Sequence, residues 1–275
     1  MSTTWSSQDP PDCGGPLGAA GWFRVVRRGV PLAIVTAASF VVLIVVRQIE
    51  RPVFGHHRPV TPWITRFVCA CALPLLGIRL SSRGTPMAHR GAVVSNHASW
   101  LDIFTLNACQ NGYFVSKSEV AGWPGIGWLA RATGTVFIAR DPRQAKEQKQ
   151  IFTQRLLAGH KLLFFPEGTS TDGMRVLPFK PTLFEAFFAV DLRPHLYVQP
   201  VTLLYCGPDD SEARFYGWWG DMDFGTHLLK TLAAPRHGRI EVVFHAPLKV
   251  SDFAGRKDLA LHCENVIRGA MPAPR

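Results

Sequence analysis

At 275 residues the chain has room for one substantial α/β domain and an N-terminal attachment, and its hydrophobic fraction of 47% is ordinary for a soluble core. Thirty Lys and Arg against twenty Asp and Glu leave a formal charge of +10, which calls for an anionic partner. No zinc-finger spacing, RNA-recognition signature or dense basic helix accompanies that charge, so the reading is no nucleic acid and an anionic membrane surface, where each Lys or Arg is worth about 1 kcal/mol.

In chain order, residues 1 to 21 are rich in Ser, Pro and Gly and are expected to be disordered. Arg24, Arg27 and Arg28 then precede an uncharged stretch from Val30 to Val46, which Arg47 and Arg51 close. As a helix this stretch rises about 25 Å, a little short of the roughly 30 Å hydrocarbon core, so it is a marginal span. A second run, Phe67 to Ile78, is too short to span and holds Pro74; interfacial burial suits it, and the two runs together suit a helical hairpin dipping into one leaflet. Residues 22 to 80 therefore read as a membrane-associating helical segment, with arginines on both sides giving the positive-inside rule no clear vote. No small-residue cleavage site clearly follows the apolar run, which argues against a secretory signal. His56-His57 reads as part of a solvated linker, because no second ligand cluster lies at metal-binding spacing.

From 81 to 275 short β-rich runs alternate with helical stretches. Strands are expected at about 91 to 95, 112 to 116, 135 to 139, 161 to 165, 196 to 205 and 239 to 245. Helices are expected near 100 to 109, 124 to 132, 142 to 158, 180 to 190, 224 to 233 and 256 to 269. This predicts a layered α/β domain with a mixed, largely parallel central sheet and active-site loops at strand ends. Cys13, Cys69, Cys71, Cys109, Cys206 and Cys263 contain no Cys-x2-Cys pair and read as small hydrophobes in a reducing compartment, not as a disulfide framework or metal site.

The most informative stretch is Ser95-Asn96-His97-Ala98-Ser99-Trp100-Leu101-Asp102, directly after the apolar run Ala92-Val93-Val94. An imidazole titrates near pH 6.5, and a carboxylate on its other nitrogen fixes the tautomer and stabilises the imidazolium, so His97 and Asp102 suit a general base. Ser-His-Asp hydrolases activate their own serine with this pair. No Gly-x-Ser-x-Gly elbow exists here, so the activated hydroxyl belongs to a substrate. Alone, the spacing favours a loop histidine beside a helix-capping Asp102. Two further segments change that balance: Gly134-Thr135-Val136-Phe137-Ile138-Ala139-Arg140, a β-rich run ending in a cation, and Phe164-Phe165-Pro166-Glu167-Gly168-Thr169-Ser170-Thr171, an apolar strand breaking into a polar turn.

In this order, and with Val198-Gln199-Pro200-Val201-Thr202 as a fourth block, these segments resemble the glycerolipid acyltransferase family typified by 1-acylglycerol-3-phosphate acyltransferases, over about Gly91 to Leu204. The resemblance implies that His97 deprotonates a lysolipid hydroxyl as it attacks an acyl thioester, carried by acyl-CoA or acyl carrier protein, with Asp102 holding the ring. It places Asn96, Arg140, Glu167, Gly168 and Thr169 around the substrate. Asn96 fits either a loop-positioning or a turn role. The Gly168 N–H is a candidate oxyanion donor and Arg140 a cation for the head group or the donor's phosphates, with Lys117 as a weaker second. Much of the family follows the Phe-Pro-Glu-Gly-Thr turn with an arginine that holds the acceptor phosphate, and Ser170 cannot form that bidentate fork. The run from Glu167 to Lys180 and Gly220-Asp221-Met222-Asp223-Phe224 look more like the bacterial branch that acylates lyso-ornithine lipid. Arg175 and Lys180 are candidates to replace part of the missing charge.

Expected, then, is an enzyme at the inner membrane with its catalytic domain facing the cytoplasm. The mechanism needs no metal or cofactor, and neither a P-loop nor a Rossmann fingerprint is present. An inactive lipid-binding factor of the same fold is the alternative, disfavoured by the intact His97 and Asp102, and a hydrolase is a weaker third. The segments Trp123 to Trp128 and Trp218-Trp219 suit either core packing or the bilayer interface.

Overall fold

The computed structural model describes residues 4–7, 14–55, 57–138, 145–209 and 213–272. All six expected strands form: β2 (Gly91–Ser95), β3 (Tyr113–Lys117), β4 (Val136–Ile138), β5 (Leu162–Phe164), β6 (Tyr197–Cys206) and β7 (Arg239–Phe244). Two more flank them in sequence, β1 (Arg79–Arg83) and β8 (Leu248–Lys249). The strand order is β1-β7-β6-β2-β5-β3-β4, with β8 on β6. Only the β6–β7 and β6–β8 pairs are antiparallel among the described residues, which is the mixed, largely parallel sheet expected.

β1 carries no apolar period to betray it. Its sequence Arg-Leu-Ser-Ser-Arg is mostly exposed, pairs only with β7 and closes one sheet edge with charge. In contrast β2 is buried along its whole length, because a strand in a parallel sheet is covered on both faces. On one face Val94, Phe164 and Val198 pack with Phe152 and Leu156 of α5 (Ala145–Leu157) and with Leu259 and Ile267 of α7 (Arg256–Gly269). On the other lie Val93, Leu163 and Leu203, above Leu106 of α3 (Leu101–Cys109). The helix expected at 180 to 190 is a 3-10 helix, Pro181–Phe188. Three residues per turn put Phe184 and Phe187 on one side, both fully buried around Phe164, and that aromatic packing selects the tighter winding.

The two remaining core helices are α4 (Ile126–Thr133) and α6 (Phe224–Ala233), and the N-terminal apolar runs form α1 (Ala19–Phe54) and α2 (Thr61–Leu76). α1 is longer than its uncharged stretch and begins within the segment expected to be disordered. Its 36 residues rise about 54 Å, and it is the one helix among the described residues long and apolar enough to cross a membrane. Several of the flanking charges have partners. Arg24 Nε and Arg28 Nη1 donate to the carbonyls of Leu232, Ala233 and Ala234, at the α6 C-terminus where cations are favoured. Glu50, buried at the other end, accepts the Val60 and Thr61 N–H groups and the Thr61 hydroxyl, so it caps α2 from outside. α2 is no detachable anchor: Leu73 and Leu76 are fully buried with Tyr216, Leu232 and Ile240.

β2 depends on one glycine. Gly91 has φ +142°, and a Cβ there would lie 1.8 Å from the Tyr197 carbonyl oxygen of its neighbour β6. Gly91→Ala is expected to cost at least about 3 kcal/mol through strain and lost pairing, checked by denaturant unfolding of the detergent-purified variant.

Candidate active site

β2, β5 and β3 run parallel, so the loops after them open on one sheet edge. The first begins with Asn96, whose side chain behaves as an extra strand residue. Its Oδ1 accepts the Leu203 N–H at 2.8 Å and its Nδ2 donates to the Leu203 carbonyl at 3.0 Å. Buried and bonded at both ends of its amide, Asn96 ties the start of the loop to β6.

His97 Nδ1 lies 2.6 Å from Asp102 Oδ2. The Asp102 carboxylate is fully buried in the first turn of α3 and receives three further donors: the N–H of Ala98 at 2.8 Å, that of Ser99 at 3.1 Å, and the Tyr205 hydroxyl at 2.5 Å on Oδ1. A carboxylate can only accept, so this arrangement assigns the Nδ1 proton to the His97–Asp102 bond and leaves Nε2 as a lone-pair acceptor. Burial, then the Asp102 charge, hold the Tyr205 phenol well above its ordinary pKa, so it remains a donor. The His97 ring stacks on Phe165 with centroids 4.1 Å apart and 7° between planes. Its side chain is 19% exposed, and among the described residues Nε2 has no hydrogen-bond partner, so the basic nitrogen is open to a substrate.

The second loop braces the first. Phe165-Pro166-Glu167-Gly168 closes as a turn in which the Gly168 N–H donates to the Phe165 carbonyl at 3.1 Å, with Gly168 at φ +72°. That N–H, expected to be an oxyanion donor, is engaged within the turn. Lys180 lies over this glycine, its Nζ 2.5 Å from where a Cβ would stand. Glu167 is buried too and accepts the His97 N–H at 2.7 Å and the Leu177 N–H at 2.8 Å. It therefore clamps the His97 loop to its own loop. Thr171 adds its N–H and hydroxyl to the His97 carbonyl. Thr169, mostly buried, accepts the Trp5 N–H at 3.3 Å, and the Trp5 ring faces Trp219 and Arg175, which brings residues 4–7 to the site. Arg140 lies outside the described residues.

Arg175, a candidate to replace part of the missing charge, is joined here by Arg214, which the sequence pattern did not mark. Buried Asp172 receives Arg175 through Nε and Nη2 at 3.1 and 3.0 Å, and Arg214 Nε approaches it at 3.3 Å. Asp172 directly follows Thr171, and the next residue, Gly173, lies against Ala98, whose carbonyl accepts the Trp218 N–H.

A histidine with an open Nε2, a buried carboxylate behind it and no adjacent protein nucleophile is the arrangement for deprotonating an incoming hydroxyl. Residues 79–204 match the family profile described as Acyltransferase. A protein of Rhodobacter capsulatus named lyso-ornithine lipid O-acyltransferase is 57% identical over 267 residues, 97% of this chain and 96% of that one. The chain belongs to the acyltransferase family. A Brucella abortus acyltransferase of the same name is 37% identical over 211 residues, 72% of this chain and 77% of its own. A 1-acyl-sn-glycerol-3-phosphate acyltransferase of Neisseria gonorrhoeae is 38% identical over 118 residues, 42% of this chain and 46% of that one. The 1-acyl-sn-glycerophosphate acyltransferase PlsC of Thermotoga maritima shares the fold, with a TM-score of 0.58 at 20% identity over 89% of this chain and 96% of that one.

Within this acyltransferase Glu167 carries a measurable signature. Burial outweighs its two N–H donors and pushes its pKa from 4.5 up to about 8. Between those values the unfolded chain has lost the proton and the folded chain retains it, so stability falls as pH rises through the window. Glu167→Gln has no proton to lose. The wild-type Tm is expected to drop between pH 5 and 8 relative to that of the variant, read by thermal unfolding across that range.

Proposed function

We propose that the protein acylates the free hydroxyl of lyso-ornithine lipid, using an acyl thioester as donor. The observation that carries this reading is the open His97 Nε2 backed by buried Asp102, in a chain similar over almost its whole length to a protein named for that reaction. Nε2 takes the proton of the acceptor hydroxyl as its oxygen bonds to the thioester carbonyl carbon. The imidazolium, held by Asp102, returns the proton to sulfur as the C–S bond breaks, so the products are an ester and a free thiol. The thiol is that of coenzyme A or of acyl carrier protein.

Ser170 supports an acceptor without phosphate, and the guanidinium groups of Arg175 and Arg214 at Asp172 suit the carboxylate of an amino-acid head group. The same two arginines favour a second reading, 1-acylglycerol-3-phosphate as acceptor. Measuring kcat/KM for both acceptors with one donor separates them: lyso-ornithine lipid is expected to lead, and Ser170→Arg to shift the ratio toward the phosphate acceptor by about ten- to a hundredfold. His97→Ala is expected to lower kcat by about 10²- to 10⁴-fold with the fold intact by circular dichroism. Near-normal turnover in that variant contradicts the mechanism.

The same reading places the enzyme on the inner membrane, with residues 22 to 80 as its membrane-associating segment and the catalytic domain from 81 onward in the cytoplasm. Both ends of α1 are bonded to the domain side, through Arg24 and Arg28 at one end and through Glu50 and α2 at the other, which favours one leaflet over a crossing. Between them an exposed apolar row of Phe23, Val26, Val30, Ile34, Val41, Val45 and Ile49 faces outward. Cys69 and Cys263, free and buried, suit a reducing compartment. High salt is expected to strip only part of the protein from membranes, since it screens charge and not apolar burial. Val41→Glu/Ile49→Glu is expected to release most of it, read by sedimentation with vesicles.

A further inference from the structure

We propose that a second, basic pocket binds the phosphate of an anionic phospholipid head group, away from the catalytic loop. Leu43, Ile44, Arg47 and Arg51 of α1, Arg58 of the following loop, and Arg131 of α4 line a cavity of about 240 Å³. That is smaller than the roughly 300–1,000 Å³ clefts that enclose a drug-sized ligand, so it suits a head group with the acyl chains left outside.

Four guanidinium groups converge here, and the neighbouring acid, Glu50, already caps the α2 N-terminus. Arg47 Nη1 is buried without a hydrogen-bond partner among the described residues, 3.7 Å from Glu50 Oε2. Burial and then the Arg47 charge lower the pKa of Arg58, whose own charge adds to that of burial in bringing Arg155 to about 10. Arg58 is fixed by donation to the Ala132 carbonyl and Arg131 by donation to that of Ala121, so the cations are held together by neutral carbonyls. A set of positive charges pre-arranged in this way is stabilised by a bound anion, and guanidinium forks match phosphate.

The position selects a lipid. Ala132 precedes β4, and Arg155, which donates to the Gly134 carbonyl, lies over the ring of Tyr113 at the start of β3. The pocket is therefore at the strand-start edge, whereas His97 follows the end of parallel β2. At about 3.3 Å per residue, five-residue strands separate those edges by about 15 Å. Exposed Ile44 and Val45 of α1, Trp63 of α2 and Trp128 of α4 supply apolar surface for the chains of a lipid whose phosphate enters the pocket.

The test uses delipidated full-length protein in a mild detergent, titrated with phosphatidylglycerol or phosphatidylcholine and read by native mass spectrometry. Phosphatidylglycerol is expected to bind at least tenfold more tightly. Arg51→Gln/Arg131→Gln is expected to weaken it about tenfold or more, while the charge-matched Arg236→Gln/Arg239→Gln leaves it unchanged. Arg51→Gln alone, at an exposed position, provides the same comparison with a loss of about threefold should the double variant fold poorly. Equal affinity for both lipids, or equal weakening by both double variants, overturns the proposal. So does displacement of phosphatidylglycerol by coenzyme A together with a raised KM for acyl-CoA in the Arg51/Arg131 variant, which assigns the pocket to the donor's phosphates.

Discussion

Everything at the catalytic edge is arranged around the buried carboxylate of Asp102. A charge removed from water is costly unless it is bonded throughout, and this one gathers His97 Nδ1, two backbone N–H groups and the Tyr205 hydroxyl. Each donor has a structural consequence. The N–H groups of Ala98 and Ser99 curl the loop so that His97 faces its own helix, and Tyr205 ties that helix to the far end of β6. The tautomer that frees Nε2 is therefore a result of satisfying Asp102, not an independent feature.

Around that point the structure uses side chains where secondary structure stops. Asn96 extends the β2–β6 ladder by one residue with an amide in place of a peptide group. Glu167 joins the His97 and Leu177 N–H groups, which have no strand partner there. Buried main-chain donors must be paired, and a loop rigid enough to aim an imidazole leaves many of them to be paired by side chains. Three polar residues of the motif, Asn96, Glu167 and Thr171, hold the loop, and His97 Nε2 has no hydrogen-bond partner among the described residues.

This explains what was legible in the sequence. His97 and Asp102 lie five residues apart, so their partnership is local and their chemistry follows from residue type. The strands of the parallel core were legible because burial on both faces leaves continuous apolar runs. The polar edge strand β1 and the two-residue β8 carry no such pattern. The partners of the motif residues Glu167 and Gly168 are backbone groups, which no spacing reveals. Tyr205 and Arg214 are distant in sequence from the groups they serve; a lone tyrosine near the end of an apolar strand was the only signal for the first, and nothing marked the second.

The charge of the chain is legible as a total but not as a distribution. Its excess of ten is divided among places with different chemistry. Arg24 and Arg28 are bonded to the end of α6 and fasten the N-terminal helix. Arg175 and Arg214 share Asp172 beside the His97 loop. Arg47, Arg51, Arg58 and Arg131 converge at the opposite edge, where the Glu50 carboxylate is shared between Arg47 and the α2 N-terminus. An undifferentiated basic surface would attract any anionic membrane with a strength that decays over a Debye length. Grouping the arginines at a site and at a separate pocket instead lets one protein distinguish the lipid it modifies from the lipid it rests on.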